Sequence, residues 1–263
     1  MYITYVIGDI HGDFKQLCNI LYIIGIIKNK SIQVIKNMLL NDDYTNIDMN
    51  NKKLIQLGDI LDSKSRTSNK DTIIYSDMLS FIFLCKLKIK YPTQVILIIG
   101  NHEYLNFNKI YNYISTHSTR NINEYEYIKK NYIKLFQYYY IDKFNNLYIH
   151  SSIPIDINTI SDLDKYEKDL KKIKNNNNDI IKLYEIVFKR DIPLIELLNK
   201  LNINNVFMGH TPHDEVLILN ERIYYIDTFI SECFFDINKK SKDYKIVNIN
   251  NNNKIEIIKI NRS

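Results

Sequence analysis

The chain has 263 residues, of which 45% are hydrophobic, and a formal net charge of +5 at pH 7. This length and apolar content are enough to bury a full core, either in one large domain or in one domain with a small insertion, and we expect a single catalytic domain. The 35 basic residues are spread without a dense arginine block or an aromatic stacking motif, so nucleic-acid binding is not indicated.

The location of the protein is predicted from what the sequence lacks. No apolar stretch reaches the roughly 20 residues that cross a bilayer, and the first residues do not form a signal peptide. We therefore expect an intracellular, cytoplasmic protein with no membrane partner. The Ile-, Asn- and Lys-rich composition is typical of an AT-rich genome, such as that of a large DNA virus or of a parasite. For a viral protein the expected location is the host cytoplasm. Cys18, Cys85 and Cys233 are predicted to be buried thiols in a reducing compartment.

The first half of the chain reads as strand–loop–helix units. Residues 2–7 form an apolar strand that stops at Gly8, after which Asp13 is placed to cap a helix. A second strand at 54–57 ends at Gly58 and precedes a helix at about 71–90, and a third strand at 95–99 is apolar throughout. The apolar face of the first helix comprises Phe14, Leu17, Cys18, Leu21 and Ile24.

The second half changes from helices to hairpins. Residues 103–140 are predicted to be helical, a strand at 147–149 ends at His150, and a charged helical stretch at about 155–201 is predicted to be a cap insertion. The later predicted strands are 206–208, a hairpin of 216–219 with 222–226 around Asn220-Glu221, and strands near 244–247 and 255–260. This order predicts one α/β domain over residues 1–263, with two packed sheets and helices outside.

Six short motifs carry the polar side chains that suit metal chemistry. Most of them follow apolar runs, so we expect them at loop tips on the carboxyl edge of one sheet. Carboxylate, imidazole and carboxamide groups are donors for borderline divalent metals and, in clusters, for a two-metal site. The motifs are Gly8-Asp9-Ile10-His11-Gly12, Gly58-Asp59-Ile60-Leu61-Asp62, Gly100-Asn101-His102-Glu103, His150, Gly209-His210-Thr211 and Asp227-Thr228.

The donors divide into two metal positions that share one carboxylate. Asp9 and His11 are two residues apart, so in an extended loop they point the same way and grip one ion. Asp59 is placed to bridge two ions. The second position is completed by Asn101, His150 and His210. Two divalent ions in such a site would attract a phosphate dianion and acidify a bridging water toward hydroxide.

His102 is predicted to act on the leaving group. It is adjacent to Asn101 and is therefore not expected to bind the same ion. Its better role is to protonate the departing oxygen, with Asp62 orienting the ring and holding it cationic.

Together these motifs resemble the ordered signature of the calcineurin-like metallophosphoesterases, specifically the phosphoprotein phosphatase (PPP) type and its bacterial-like branch of Shewanella-like phosphatases. The resemblance implies a four-layer αββα sandwich of two mixed sheets. It also implies one metal at Asp9, His11 and Asp59, and a second at Asp59, Asn101, His150 and His210. Two divalent ions are expected, with manganese as the leading choice, and iron and zinc also accept these donors.

The chain departs from this family pattern at several positions. The usual Asp-Arg-Gly is here Asp62-Ser63-Lys64, so Lys64 or Arg66 is predicted to contact phosphate instead. Arg190 resembles the family's second phosphate-binding arginine. The usual glycine pair after the fourth-block histidine is Ser151-Ser152, and the glycine after Asp227-Thr228 is Phe229.

The leading hypothesis is a metal-dependent phosphatase for phosphorylated Ser, Thr or Tyr in proteins, acting through a hydroxide activated by the two metals. A symmetrical dinucleoside polyphosphate hydrolase is the second hypothesis, because Gly-His-Thr-Pro also occurs in that relative. An inactive pseudophosphatase that binds phosphorylated partners is the third. The sequence carries no signal for the oligomeric state.

Overall fold

A computed structural model of the protein describes residues 2–62, 70–108, 110, 122–154, 156–172, 187–231 and 243–262. The helices of this part are α1 (Phe14–Ile23), α2 (Ile32–Asn41), α3 (Lys70–Lys90), α4 (Asn101–Asn108), α5 (Ile122–Tyr132), α6 (Ile160–Lys172) and α7 (Ile195–Lys200). The strands are β1 (Ile3–Ile7), β2 (Lys52–Gln56), β3 (Val95–Ile98), β4 (Phe136–Gln137), β5 (Tyr139–Ile141), β6 (Asn146–Ile149), β7 (Asn205–Met208), β8 (Leu217–Leu219), β9 (Ile223–Tyr225), β10 (Asp243–Ile249) and β11 (Ile255–Asn261).

The strands form two mixed sheets. In the first, of order β11-β10-β1-β2-β3-β4, the strands β1 to β4 are parallel and β10 and β11 are antiparallel. In the second, of order β5-β6-β7-β9-β8, the strands β6, β7 and β9 are parallel and the two edge strands are antiparallel. The chain passes from one sheet to the other through Tyr138, between β4 and β5.

The two sheets face each other across an apolar layer. Alternate strand residues point into it, as the pleat requires. Tyr148, Phe207 and Tyr224 stack across three neighbouring strands, with ring centroids 5.0 and 4.9 Å apart. The buried members of this layer are Val6, Ile55, Leu57, Ile96, Ile98, Tyr148, Phe207, Val216, Tyr224, Ile226, Val247 and Ile249.

The opposite faces of the sheets pack against helices. Leu54 and Leu97 of the first sheet belong to the same apolar cluster as Leu17 of α1 and Leu84 of α3. Leu147, Val206 and Met208 of the second sheet belong to a cluster that includes Leu163 of α6 and Leu198 of α7. The predicted α/β fold, with two mixed sheets flanked by helices, is confirmed.

Several local predictions are confirmed. The carboxylate of Asp13 accepts a hydrogen bond of 3.0 Å from the backbone N–H of Gln16 and caps α1. The β8–β9 hairpin turns at Asn220 and Glu221, whose φ values are 50° and 58°. Positive φ at both central residues is the geometry of a tight hairpin turn that matches the strand twist.

Two local predictions are wrong or incomplete. Residues 103–140 are not helical to the end, because Phe136–Gln137 and Tyr139–Ile141 are short strands, one in each sheet. Their tyrosine-rich sequence is compatible with the side-chain period of a helix and with that of a strand. Pairing with β3 and β6 makes them strands. The helix Ile32–Asn41 was not predicted. In the described part of the chain, no helix has both the length and the apolar character to span a membrane.

Candidate metal centre

Six loops converge at one edge of the sandwich. Three follow β1, β2 and β3 of the first sheet, and three follow β6, β7 and β9 of the second. The strands β1, β2 and β3 are parallel to one another, and so are β6, β7 and β9, so within each sheet their carboxyl ends lie at the same edge. The expectation of a single sheet edge is therefore corrected: the motifs come from two sheets, and the site lies where the two edges meet.

Several site residues occupy strained backbone. His11, Asp59, Asp62 and His210 have φ values of 42°, 53°, 67° and 63°. Non-glycine residues rarely adopt this left-handed region, and such strain clusters at functional sites. The prediction that Asp9 and His11 project together from an extended loop is wrong for His11. The two groups still come within reach, with 4.0 Å between His11 Nε2 and Asp9 Oδ2.

Glycines allow the loops from the two sheets to pack in close contact. A Cβ at Gly58 would lie 2.7 Å from His150 Nδ1 and 2.7 Å from the backbone N of Gly100. A Cβ at Gly100 would overlap both the backbone N and Oδ1 of Asp59, and one at Gly209 would overlap Asp9 Oδ1. The absence of a side chain at these positions is a condition for the donors to come together.

The donors form two groups that share Asp59. His11, Asp59 and His102 each offer a ligand atom within 4.8 Å of the others, and so do Asp59, His150 and His210. All of these side chains are buried. Asp59 Oδ2 is 3.6 Å from His11 Nε2, while Asp59 Oδ1 is 3.5 Å from His150 Nε2. One carboxylate thus presents one oxygen to each group.

Two of the imidazoles are oriented by backbone carbonyls. His150 Nδ1 lies 2.7 Å from the carbonyl of Leu57, and His11 Nδ1 lies 3.2 Å from the carbonyl of Asp62. A carbonyl only accepts, so these Nδ1 atoms donate and each Nε2 keeps its lone pair. His150 Nε2 faces Asn101 Oδ1 at 3.0 Å. Since a neutral imidazole with a lone pair is the form that binds metal, this orientation suits coordination.

His210 is held by the segment before α7. Its Nε2 donates to the carbonyl of Phe188 at 2.9 Å, which leaves Nδ1 as the ligand atom. Burial, the His150 imidazole and, to a smaller extent, the nearby Arg190 guanidinium lower the pKa of His210 to about 3. The ring is therefore neutral near pH 7. Arg190 itself is exposed, two residues beyond Phe188.

His102 and Asp62 lie together, as predicted. His102 Nδ1 is 2.7 Å from Asp62 Oδ2, an ion-pair distance whose angle is not that of an aligned hydrogen bond. His102 Nε2 points the other way, 3.8 Å from Asp59 Oδ2. His102 thus also lies in the donor group of His11, although the sequence assigns it to the leaving group.

The buried carboxylates of the cluster favour the binding of cations. Burial, followed by Asp227 and Asp59, raises the pKa of Asp9 well above its usual range. Burial also opposes ionisation of Asp59, but the imidazoles of His150, His102, His11 and His210, when protonated, outweigh it and lower the Asp59 pKa. Buried carboxylates this close are unfavourable unless a positive charge lies between them. Carboxylate, imidazole and carboxamide donors in this arrangement fit divalent metal ions.

Sequence reasoning assigned no role to two buried side chains that join the loops. Gln56 donates to the carbonyl of Gly58 at 2.6 Å and of Gly8 at 3.3 Å, linking the loops after β2 and β1. Glu103 accepts hydrogen bonds from the loops after β2 and β3. The signals were present, since Gln56 is a polar residue in an apolar strand and Glu103 completes the third motif.

The departures from the family pattern have different structural consequences. Ser151 and Ser152, which replace a glycine pair, are buried and do not have positive φ, so a side chain is accommodated. Phe229 has a φ of 56°, the left-handed region that favours glycine. Lys64, Arg66 and Cys233 lie outside the described residues.

Fold and site together define a phosphoesterase of the calcineurin-like class. The sequence model of the calcineurin-like phosphoesterases matches residues 4–247, so the chain belongs to this family. Among its relatives, a Shewanella-like protein phosphatase 1 from Plasmodium berghei (strain Anka) is 28% identical over 264 residues. That alignment covers 86% of this chain and 66% of the relative. The predicted family and Shewanella-like resemblance are confirmed.

Solved structures of the same fold include phosphatases of different specificity. A cold-active protein-tyrosine phosphatase from a psychrophilic Shewanella species superposes with a TM-score of 0.66 at 17% identity, covering 100% of this chain and 81% of that one. A protein serine/threonine phosphatase from Saccharomyces cerevisiae gives 0.59 at 13%, with 100% and 80% coverage. A putative diadenosine tetraphosphatase gives 0.51 at 12%, with 100% and 95% coverage.

Proposed function

We propose that this chain is a metal-dependent phosphoprotein phosphatase that hydrolyses phosphomonoesters of Ser, Thr or Tyr side chains. One observation carries the proposal: two buried donor groups share Asp59 at one loop edge of a phosphoesterase fold. The names of the Plasmodium, Shewanella and Saccharomyces phosphatases support a protein substrate.

Two divalent cations are proposed as the cofactors. Asp9, His11 and Asp59 would hold one, and the second would be held by Asp59 together with Asn101, His150 and His210. Manganese is the expected ion, with iron or zinc as alternatives of the same donor preference. When bound, the cations would neutralise phosphoryl oxygens and make water a stronger nucleophile.

The chain's own residues carry the rest of the reaction. Water oxygen adds to phosphorus while the ester P–O bond breaks, so the departing alkoxide needs a proton. His102 supplies it from Nε2, and Asp62 at 2.7 Å from Nδ1 orients the ring and stabilises its positive charge. Burial of both groups excludes competing water from this transfer. One proton of the attacking water stays on the phosphate product, and the other passes to solvent, from which His102 is reprotonated.

Basic side chains hold the substrate phosphate. Arg190 is proposed as the principal contact, because it lies close enough to His210 to shift the pKa of that ring and is exposed to solvent. Lys64 or Arg66 is proposed to replace the family arginine after Asp62. Replacing Arg190 with Ala should raise KM for phosphopeptides by about tenfold or more, because a charge-assisted contact to phosphate is lost.

Hydrolysis of a dinucleoside polyphosphate is the second candidate. It is supported by Gly209-His210-Thr211-Pro212 and by the likeness to the putative diadenosine tetraphosphatase. Parallel assays of diadenosine tetraphosphate and of phospho-Ser, phospho-Thr and phospho-Tyr peptides distinguish the two. Turnover of the dinucleotide with untouched peptides would contradict the proposed substrate class.

The decisive experiment tests metal content and phosphate release together. The chain is stripped with chelator, reloaded with manganese, iron or zinc, and assayed with p-nitrophenyl phosphate while bound metal is counted by mass spectrometry. Because Asp59 is shared, Asp59→Asn should lose both ions and all turnover, whereas His210→Asn should lose one ion. The matched control is Asp43→Asn, an exposed carboxylate that accepts from the N–H of Thr45. A metal-loaded wild type without turnover would favour the pseudophosphatase alternative.

We also propose that residues 1–263 form a single domain with a helical cap at about 155–201, and that the protein is cytoplasmic and has no nucleic-acid partner.

A further inference from the structure

Glu103 is a fully buried carboxylate that four backbone N–H groups surround. Its Oε2 accepts from Asp59 N at 2.7 Å and from Gly100 N at 3.0 Å. Its Oε1 accepts from Ile60 N and from Leu61 N, both at 2.8 Å. All four donors converge on the two oxygens of this carboxyl group, so one side chain links the loop after β2 to the loop after β3.

The loop after β2 forms a backbone nest around the Glu103 carboxyl group. Three consecutive N–H groups, from Asp59 to Leu61, converge on one carboxylate, and such concavities bind anions in many proteins. Asp59 has a φ of 53° in this turn. A non-glycine residue holds that conformation only where its surroundings compensate the strain, and the Glu103 hydrogen bonds do so.

The same contacts determine where the Asp59 side chain points. The Asp59 backbone is bonded to Glu103, and Asp59 Oδ1 accepts from the backbone N–H of His102 at 2.9 Å. Both partners belong to the first turn of α4. The carboxylate that the two donor groups share is therefore fixed to one helix end by its backbone and by its side chain.

We propose that Glu103 is the positioning residue that holds Asp59 with one carboxylate oxygen toward each donor group before any metal binds. It acts on the donor groups through the backbone of the loop that carries Asp59. The inference deepens the proposed function, since it names what preorganises the shared ligand. On this account, the hydrogen bonds between Glu103 and the loop increase the metal affinity of the folded protein, and their main effect is not on the stability of the fold.

Replacing Glu103 by Gln tests this role. The amide keeps one acceptor oxygen but turns an NH₂ group toward two N–H donors, so two hydrogen bonds are lost. We expect manganese affinity to fall by about 10- to 100-fold, measured by competition with a fluorescent chelator at a temperature where both proteins are fully folded. Glu196→Gln, an exposed glutamate in the first turn of α7, should leave the affinity unchanged.

A merely structural role predicts a different pattern. The melting temperature of metal-free Glu103→Gln would fall while the metal affinity of the folded protein stayed at the wild-type value, and this result would overturn the proposal. Metal affinity and phosphate release are separate readouts. A wild type that binds metal but hydrolyses no phosphate ester contradicts the proposed function without affecting the Glu103 result.

A measurement on the wild type removes the dependence on a variant that folds. If Glu103 preorganises the nest, the amides of Asp59, Ile60 and Leu61 should be protected from hydrogen exchange in chelator-treated protein. Exchange at these amides as fast as in an unfolded chain, with protection only after manganese is added, would show that the metal organises the loop and would overturn the proposal.

Discussion

His102 Nδ1 lies 2.7 Å from Asp62 Oδ2, and the side chains are 3% and 0% exposed. His102 lies in the first turn of α4, which follows β3, and Asp62 lies in the loop after the neighbouring parallel strand β2. A buried imidazole beside a buried carboxylate is a pair that can store a proton and release it to a leaving group. The other ring nitrogen of His102, Nε2, faces the shared Asp59.

Replacing His102 with Asn separates its two roles. If His102 is a general acid, its replacement should lower kcat by about 10²- to 10⁴-fold and change the number of bound ions little. Measurement of kcat together with metal content by mass spectrometry checks this. An equal loss of both would show that His102 is a metal ligand in the group of His11 and Asp59.

Asp62→Asn removes the charge that orients His102. We expect kcat to fall by roughly 10- to 100-fold, as for other residues that position a functional histidine. The loss should be larger for phenyl phosphate than for p-nitrophenyl phosphate, because phenolate is the poorer leaving group and needs the proton more. The same loss on both substrates would contradict a role in leaving-group protonation.

Gly100→Ala should abolish metal binding. Its Cβ would overlap the backbone N and Oδ1 of Asp59, neither of which is free to move. The control is Gly25→Ala at the end of α1, where the Cβ meets nothing nearer than Lys52 Cε at 3.7 Å, but φ is +68°. Gly25→Ala should cost about 1 kcal/mol of stability from the left-handed conformation and leave metal binding intact. Isothermal titration and thermal unfolding of both variants check the contrast.

Phe207→Ala should destabilise the layer between the sheets. The ring is fully buried and stacks on Tyr148 and Tyr224, so its removal leaves a cavity and should cost about 3–5 kcal/mol. Leu40→Ala removes a side chain that is 82% exposed and should change stability by less than about 0.5 kcal/mol. Urea unfolding of metal-free protein measures both. Similar values for the two variants would contradict the packing.

The thiol of Cys18 should resist alkylation in the folded protein. Burial, with a smaller effect of Asp13, raises its pKa to about 12, so at pH 8 the thiol is neutral and unreactive. Because the pKa is raised, reactivity should increase only as the pH rises toward that value. Iodoacetamide labelling followed by peptide mass spectrometry should find Cys18 unmodified at pH 8 in native protein and fully modified in guanidinium. Rapid labelling of the native protein would contradict its burial.

The elements with a strong local signal were predictable. The cap at Asp13, the β8–β9 turn at Asn220-Glu221, and the apolar strands before Gly8 and Gly58 all follow from propensity and periodicity. The strands at Phe136–Gln137 and Tyr139–Ile141 were not predictable, because their side-chain pattern permits a helix and only pairing with β3 and β6 makes a strand favourable.

The left-handed turn at His11 was equally beyond local rules. It is stabilised by backbone hydrogen bonds of 3.0 and 2.8 Å from Ile10 N and His11 N to the carbonyl of Asp59, 48 residues further along the chain. The spacing of Asp9 and His11 predicted an extended loop. The contact with the loop that carries Asp59 imposes the left-handed turn instead.

The sequence by itself determined the chemistry of this protein: which donors are available, in which motifs, and that they follow strands. Only the tertiary structure decided that the motifs come from two sheets, that Asp59 presents one oxygen to each donor group, and that Gln56 and Glu103 join the loops. The physical reason is the separation along the chain over which each interaction acts. Periodicity and capping act over a few residues, whereas the contact of the His210 N–H with Asp9, at 3.1 Å, exists only once both sheets have packed on a common core.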